Sequence, residues 1–390
     1  TINQRALLEH LRDAGALSRA ELARRSGLSK PTVSEALGEL ERAGLVRPAG
    51  PAPPARGRTA ALYELDPTAA YVVGIDVGRA YVRIAAADLA GTVVARQDRP
   101  NRARSAAALV RAVAASAHEV VAEAGLSWDH VAHTVVGSPG VFDPATGRLR
   151  HAPNLPGWSR PGLVDELRRA LATSMAVEND VNLAAMAERA HGHGRTARSF
   201  AYLSIGTGIG LGIVIDGSLY RGAHGAAGEV AYVPLPAAGD RPAGDGDARV
   251  RGLLEDAVSA DAVVRTARAL GMGDASSARR VFAAARAGDA TAAAVVRAEA
   301  ERLALVVATV VAIVDPEFVV LGGGVGGNLD VLRPALEARL GELGPLGAAV
   351  VDSELGQDGV VLGAIAMALD TAREAVFQAA AARRGQTLPG

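Results

Sequence analysis

Apolar residues at the start of the chain recur with helical spacing. Ile2, Ala6, Leu7, Leu11 and Ala14 share one face, and Gly15 closes the segment. Ser18 stands three residues before Glu21, the capping-box spacing that satisfies two orphan amides at a helix start. A short second helix over Ala20, Leu22 and Ala23 ends at Gly27. The spacing predicts a third helix at once: Ser29 caps it, Pro31 falls in its first turn, Val33, Leu37 and Leu40 form its buried stripe, and Gly44 ends it. Two short helices joined by a glycine-containing turn make a helix-turn-helix. The start of the second helix then meets base edges, and here that start carries Ser29, Lys30, Thr32 and Ser34. Two strands follow, one at Leu45, Val46 and Arg47 and one at Ala61 to Leu65, with a Pro- and Ala-rich stretch between them. Arg56 and Arg58 make the tip of that hairpin basic, which suits a narrow minor groove. Residues 1–66 therefore read as a winged helix-turn-helix DNA-binding domain; a protein-interaction module of the same shape is the alternative.

Past Pro67 the periodicity changes. Tyr71 to Gly78 is a buried strand running into a glycine turn, Tyr81 to Ala87 a second strand, and Thr92 to Arg96 a third. Ser105 to Ala124 reads as an alanine-rich helix and Val131 to Val136 as an apolar strand. A similar unit begins at Phe200: a strand over Ala201 to Ile205, the turn Gly206-Thr207-Gly208-Ile209-Gly210, and a return strand to Ile215. Two copies of strand, glycine turn, strand imply a duplicated α/β architecture whose ligand lies in a cleft between lobes. Glycines in such turns let backbone amides approach a phosphate, although a tight hairpin needs glycine on its own account. Gly322 and Gly323, after the apolar Phe318 to Leu321, form a third such turn. The expected division is a first lobe over 67–190, a second over 191–375 with its last helix returning to the first, and a tail over 376–390.

Composition narrows the function classes. The 41 basic and 42 acidic residues nearly cancel, so any DNA-binding surface must be local. Within residues 1–66 ten basic residues face eight acidic ones, so placement at the helix start and the loop tip carries the argument, not bulk charge. The longest apolar stretch, Leu303 to Val314, is too short to cross a bilayer and fits a buried helix. No charged-apolar-small leader opens the sequence, so a cytoplasmic protein without membrane partners is expected. Zero cysteines exclude disulfides and thiolate metal sites. His191-Gly192-His193 is the only histidine cluster, and two imidazoles without nearby carboxylates hold no metal, so no metal and no cofactor is expected.

The run Leu17-Ser18-Arg19-Ala20-Glu21-Leu22-Ala23, with Gly27-Leu28-Ser29-Lys30-Pro31-Thr32-Val33-Ser34, closely resembles the winged-helix domain of ROK-family repressors (repressors, open reading frames, kinases). Further on, Leu203 to Gly210 with Gly217, Arg221-Gly222 and Gly228-Glu229, then Pro153-Asn154-Leu155-Pro156-Gly157-Trp158 and Glu178-Asn179-Asp180-Val181-Asn182, resemble the signatures of that family from about Tyr71 to Asp370. The resemblance implies an actin-like ATPase fold and a sugar pocket at Asn154, Asn179, Asp180, Glu229 and Glu255, with Asp180 at the position of the kinase general base. It also implies a homodimer or homotetramer that holds operator DNA and releases or regrips it when a sugar or sugar phosphate binds.

Three departures from the family shape that expectation. Tyr232 stands where the family has histidine three residues after the signature glutamate. The family's cysteine-rich zinc site has no counterpart in a chain without cysteine. Asp76-Val77-Gly78 continues as Arg79-Ala80 where the kinases have a second glycine and a threonine. The first nucleotide loop, Asp76 and Gly78, therefore reads as vestigial, while Gly206, Thr207 and Gly208 read as intact. A sugar-responsive repressor with a retired kinase domain is the leading expectation, and an active ATP-dependent sugar kinase with an added DNA-binding domain is the alternative.

Overall fold

The computed structural model describes residues 2–51, 61–152, 155–234, 252–345 and 347–385. Helices α1 (Ile2–Ala14), α2 (Arg19–Ser26) and α3 (Lys30–Arg42) pack around Leu7, Leu11, Leu22, Val33, Leu37 and Leu40. The capping box forms as the spacing requires: the Ser18 hydroxyl accepts from the Glu21 amide, and the Glu21 carboxylate accepts from the Ser18 amide. Strands β1 (Leu17–Ser18), β2 (Val46–Pro51) and β3 (Ala61–Leu65) complete a sheet in the order β1-β3-β2. Sequence reading missed β1, because two residues carry no period-2 signal. Arg56 and Arg58, at the expected wing tip, lie outside the described residues.

The central sheet of the next segment has the order β10-β7-β4-β5-β6, built from β4 (Tyr71–Val77), β5 (Tyr81–Asp88), β6 (Val93–Pro100), β7 (Val131–Ser138) and β10 (Met175–Asn179). The first three form an antiparallel meander, and α4 (Ala106–Glu123) packs on it through Leu109, Val113 and Val120. Every residue of β4 is buried, as its unbroken apolar run predicts for a central strand. A small ribbon, β8 (Val141–Asp143) with β9 (Arg148–Arg150), and helix α5 (Leu163–Leu171) separate β7 from β10.

Helix α6 (Asp180–His191) leads to the second five-stranded sheet, ordered β13-β12-β11-β14-β15. Its members are β11 (Phe200–Ile205), β12 (Ile209–Ile215), β13 (Ser218–Leu219), β14 (Phe318–Gly322) and β15 (Ala349–Asp352). β11 runs antiparallel to β12 and parallel to β14. Helices α7 (Leu253–Val258), α8 (Ala260–Ala269), α9 (Ala278–Arg286), α10 (Ala290–Val314), α11 (Gly323–Gly326) and α12 (Leu329–Leu343) share one core with this sheet, centred on Phe282, Leu303, Val307 and Leu332. The apolar stretch at Leu303 to Val314 is the second half of α10, and no described helix is long and apolar enough to cross a membrane.

Contacts divide the chain into two units. Unit 1 holds the residues up to Val136, Val164–Val177 and the chain from Ala364; unit 2 holds Gly137–Leu163 and Glu178–Gly363. The chain thus crosses between units at several points. The last helix, α13 (Gly359–Gly385), passes from unit 2 into unit 1, and its alanine-rich sequence has no breaker between Ala364 and Gly385. Within unit 1 its Glu374 pairs with Arg5 of α1 at 3.3 Å, and Arg373 donates to the Leu89 carbonyl.

Candidate functional site

In the N-terminal domain, Ser29 and Thr32 turn out to serve the helix itself. The Ser29 hydroxyl accepts from the Thr32 amide and lies 2.8 Å from the Thr32 hydroxyl, so both cap α3. Lys30 and Ser34 are exposed beside them on the first turn. Sequence reading missed Arg24 and Arg25, exposed cations in the last turn of α2 that precede the same helix start. Arg19, by contrast, stacks its guanidinium on the Tyr63 ring at 4.8 Å and is a packing residue.

The first glycine turn, in unit 1, is closed by its own neighbours. Asp76 and Arg83 face each other in the β4–β5 register, and Arg83 Nη1 lies 2.9 Å from Asp76 Oδ2. Asp76 is only 6% exposed; burial pushes its carboxyl up, and Arg83 offsets part of that rise. The Gly78 amide donates to the Tyr81 carbonyl, while Asn101 donates from its side chain to Gly78 and from its backbone to Ala80.

Unit 2 contains a cavity of about 600 Å³ that gathers Asn179, Asp180, Gly206, Thr207, Gly208, Glu229, Tyr232, Glu255 and Gly323. Asn154 lies outside the described residues, and Gly322 does not line the cavity. Asn179 caps α6: its carbonyl oxygen accepts from the Val181 and Asn182 amides, and its amide nitrogen donates to the Gly140 carbonyl at 3.0 Å. That turn is fixed from behind by Glu178, which is buried. One of its oxygens accepts from the Asn179 amide and the Asn182 side chain, and the other pairs with Arg221 at 2.6 Å. Glu178 and Arg221 fall inside the recognised motifs, yet their pairing across 43 positions has no local signal.

Three carboxylates, Asp180, Glu229 and Glu255, face the space, and Thr207, Tyr232, Ser277 and Arg279 bring hydrogen-bond donors to the same lining. Burial pushes the Glu229 carboxyl up, and the charge of His151 pulls it partway back. Tyr232 is pushed up by burial and then by the charges of Glu229 and Glu255. Glu255, on α7, accepts from the Ile209 amide at 3.4 Å, so the second glycine turn already has a carboxylate against it. A Cβ at Gly208 would come within 2.7 Å of that carboxylate, which gives this glycine a reason independent of nucleotide. Tyr232 meets the ring of His151 edge-on, with centroids 6.0 Å apart. His151 lines the cavity and was not singled out from sequence, although it stands three residues before Asn154 in a recognised motif. His224 is exposed and does not line the cavity.

The histidine pair at 191 and 193 needs one correction. His193 Nε2 lies 3.6 Å from Glu354, brought from a distant segment, and the His193 amide donates to the carboxylate of Glu188, five residues earlier, so carboxylates do approach it. No group of three or more His, Cys, Asp or Glu side chains that could hold a metal occurs among the described residues.

A three-helix winged domain followed by a duplicated α/β domain with a cavity lined by carboxylates defines the class: a DNA-binding head joined to an actin-like ATPase fold. A family model described as winged helix-turn-helix DNA-binding matches residues 1–47, and the ROK family model matches residues 72–371. The chain belongs to the ROK family. It is 31% identical to a glucokinase of Halalkalibacterium halodurans over 280 residues, covering 67% of this chain and 82% of that one. It is 27% identical to a xylose repressor of Caldicellulosiruptor bescii over 385 residues, 94% of this chain and 95% of that one. Its fold matches a ROK family transcriptional regulator described as a homolog of the E. coli MLC protein, with a TM-score of 0.80, 22% identity and 97% and 98% of the two chains covered.

Proposed function

We propose that the chain is a sugar-responsive transcriptional repressor whose unit 2 cavity binds a neutral, hydroxyl-rich effector without phosphorylating it. The observation that carries this reading is the contrast between the two candidate nucleotide loops and the cavity. Asp180, Glu229 and Glu255 line one space, where they would accept from ligand hydroxyls and outnumber Arg279 on the same lining. Asp76, where the family's first nucleotide loop would lie, is tied to Arg83. Phosphoryl transfer depends almost wholly on positioning and charge neutralisation, so a loop engaged in this way removes much of the machinery. A relative that aligns over nearly the whole chain is a xylose repressor, which supports the regulatory reading.

On this reading the regulator acts in the cytoplasm as a homodimer or homotetramer. Two heads related by symmetry grip a palindromic operator with half-sites about one helical turn apart or a multiple of it. Ser34 faces the bases and Lys30 beside it the phosphate backbone, and Asn154 is assigned to the sugar pocket and Arg56 and Arg58 to the wing. The test is a titration of the full chain with D-glucose and D-xylose, followed by thermal unfolding and by retardation of its own promoter fragment. A ligand selective for the native state raises the unfolding temperature, and the same sugar should change DNA retention. Stabilisation by neither sugar, together with no retardation at low salt, would overturn the reading.

A further inference from the structure

We propose that His151 is a specificity-determining ligand contact, the group that donates a hydrogen bond to the oxygen of an effector hydroxyl whose proton goes to Glu229; this rests on the carbohydrate reading above. Among the described residues four non-glycine residues have positive φ: His151 at 55°, Ala172, Asp216 and Asp315. Of these only His151 lines the cavity. A bulky residue in the left-handed region is held there at a cost of roughly 1 kcal/mol or more, and such strain persists only where the surroundings enforce it.

The enforcement is visible. Gly140, itself at φ 88°, has its Cβ position filled by the Arg150 carbonyl and the His151 backbone, so the two strands of chain touch directly. The Gly140 carbonyl in turn accepts from Asn179, which ties the His151 turn to the start of α6. The ring that results is set edge-on to Tyr232 and feels the charge of Glu229. Among the described residues neither ring nitrogen has a hydrogen-bond partner.

The chemistry of the surrounding groups explains what a donor beside Glu229 adds. Ionised Asp180, Glu229 and Glu255 only accept, and the Asn179 amide is already given to Gly140. Thr207, Tyr232 and Arg279 donate elsewhere on the lining, and the His151 ring brings a donor to the side where Glu229 feels its charge. A sugar hydroxyl both donates and accepts. Carboxylates take its proton but leave its oxygen lone pairs unmet, and an imidazole N–H supplies the missing bond. A site that meets both halves of a hydroxyl rejects analogues lacking it or carrying it in the other configuration.

The test compares the wild type with His151→Gly by calorimetric titration of the full chain with D-glucose, D-xylose and the monodeoxy analogues of D-glucose. Glycine accepts φ 55° without strain, so the variant should fold and unfold at an equal or higher temperature. It should bind the sugar preferred by wild type about 10- to 100-fold more weakly. The wild type should lose affinity for one deoxy analogue in particular, and the variant should no longer distinguish that analogue from the parent sugar. Equal affinity of variant and wild type would overturn the assignment and leave the carbohydrate reading standing. Binding of neither sugar by the wild type would overturn both. A loss of affinity accompanied by an equal loss for every analogue and a lower unfolding temperature would mean that His151 only supports the fold.

Discussion

The hairpin that turns at Gly78 and the hairpin that turns at Gly206 differ in what surrounds their glycines. At the first, a cross-strand arginine neutralises the aspartate, and Asn101 bonds the backbone on both sides of the Arg79-Ala80 step. At the second, the Gly206 amide closes on the Gly208 carbonyl, the Gly206 carbonyl accepts from Ala260, and the outer surface opens on a cavity with Glu255 at its edge. A glycine turn reports that the chain reverses tightly. Whether it can also hold a ligand depends on the charges and space brought to it from elsewhere in the fold.

The sharpest way to break that comparison is Arg83→Ala. Removing the partner of a buried carboxylate should destabilise the protein by about 4 kcal/mol at neutral pH, measured by urea unfolding. Asp76 already has a raised carboxyl, so it is a group whose stabilising contribution is present at low pH and falls as pH rises; loss of Arg83 should steepen that fall. Asp76→Asn in the same background should restore most of the loss, and no restoration would mean that Arg83 acts through other contacts.

Unit 2 has its own buried acid, Glu299 on α10. Only one of its oxygens meets Arg302, at 3.2 Å, and burial pushes its carboxyl up to about 8. Its protonated form is favoured in the folded state, so the stability it allows is full below its unfolded value of 4.5 and is lost as pH rises through about 8. Glu299→Gln should therefore be more stable than wild type at alkaline pH, by on the order of 3 kcal/mol, and similar to it in acid. Parallel pH profiles for the two proteins would contradict this.

At the second hairpin, Asp180→Asn should weaken effector binding about 10- to 100-fold through loss of a charged acceptor. It should leave α6 intact, because Asn179 carries the cap. Gly208→Ala acts more gently: it displaces the Glu255 carboxylate and should cost about 1 kcal/mol of effector affinity, read by the same titration. Smallest of all, Lys30→Ala should weaken operator and non-operator DNA alike by about 0.5–1 kcal/mol and reduce the salt slope by about one.

Much of this was readable from the chain, for reasons that can be named. The winged domain is built from local signals, a capping box at Ser18 and helix stops at Gly27 and Gly44, and these are one turn long. Even the Asp76–Arg83 pair was within reach, since counting outward from the Arg79-Ala80 turn places the two residues opposite each other. The cavity was legible only where a motif carried it, as at Asn179-Asp180 and Glu229. Glu255 against Gly208, Arg221 against Glu178 and His151 against Tyr232 are meetings of segments far apart in sequence, and no periodicity encodes them. The unit boundary was unreadable for a similar reason: the chain leaves and re-enters each unit inside strands β7 and β10, where no turn marks the crossing.

The central claim, that the cavity binds a sugar and does not phosphorylate it, is tested most directly by following ADP release and binding heat in the same samples. The wild-type protein is mixed with Mg-ATP and titrated with D-glucose and then D-xylose. A saturable binding heat with ADP release no faster than in the sugar-free control is the result this account requires. Sugar-dependent ADP release that Asp180→Asn abolishes would contradict it and make the protein a kinase.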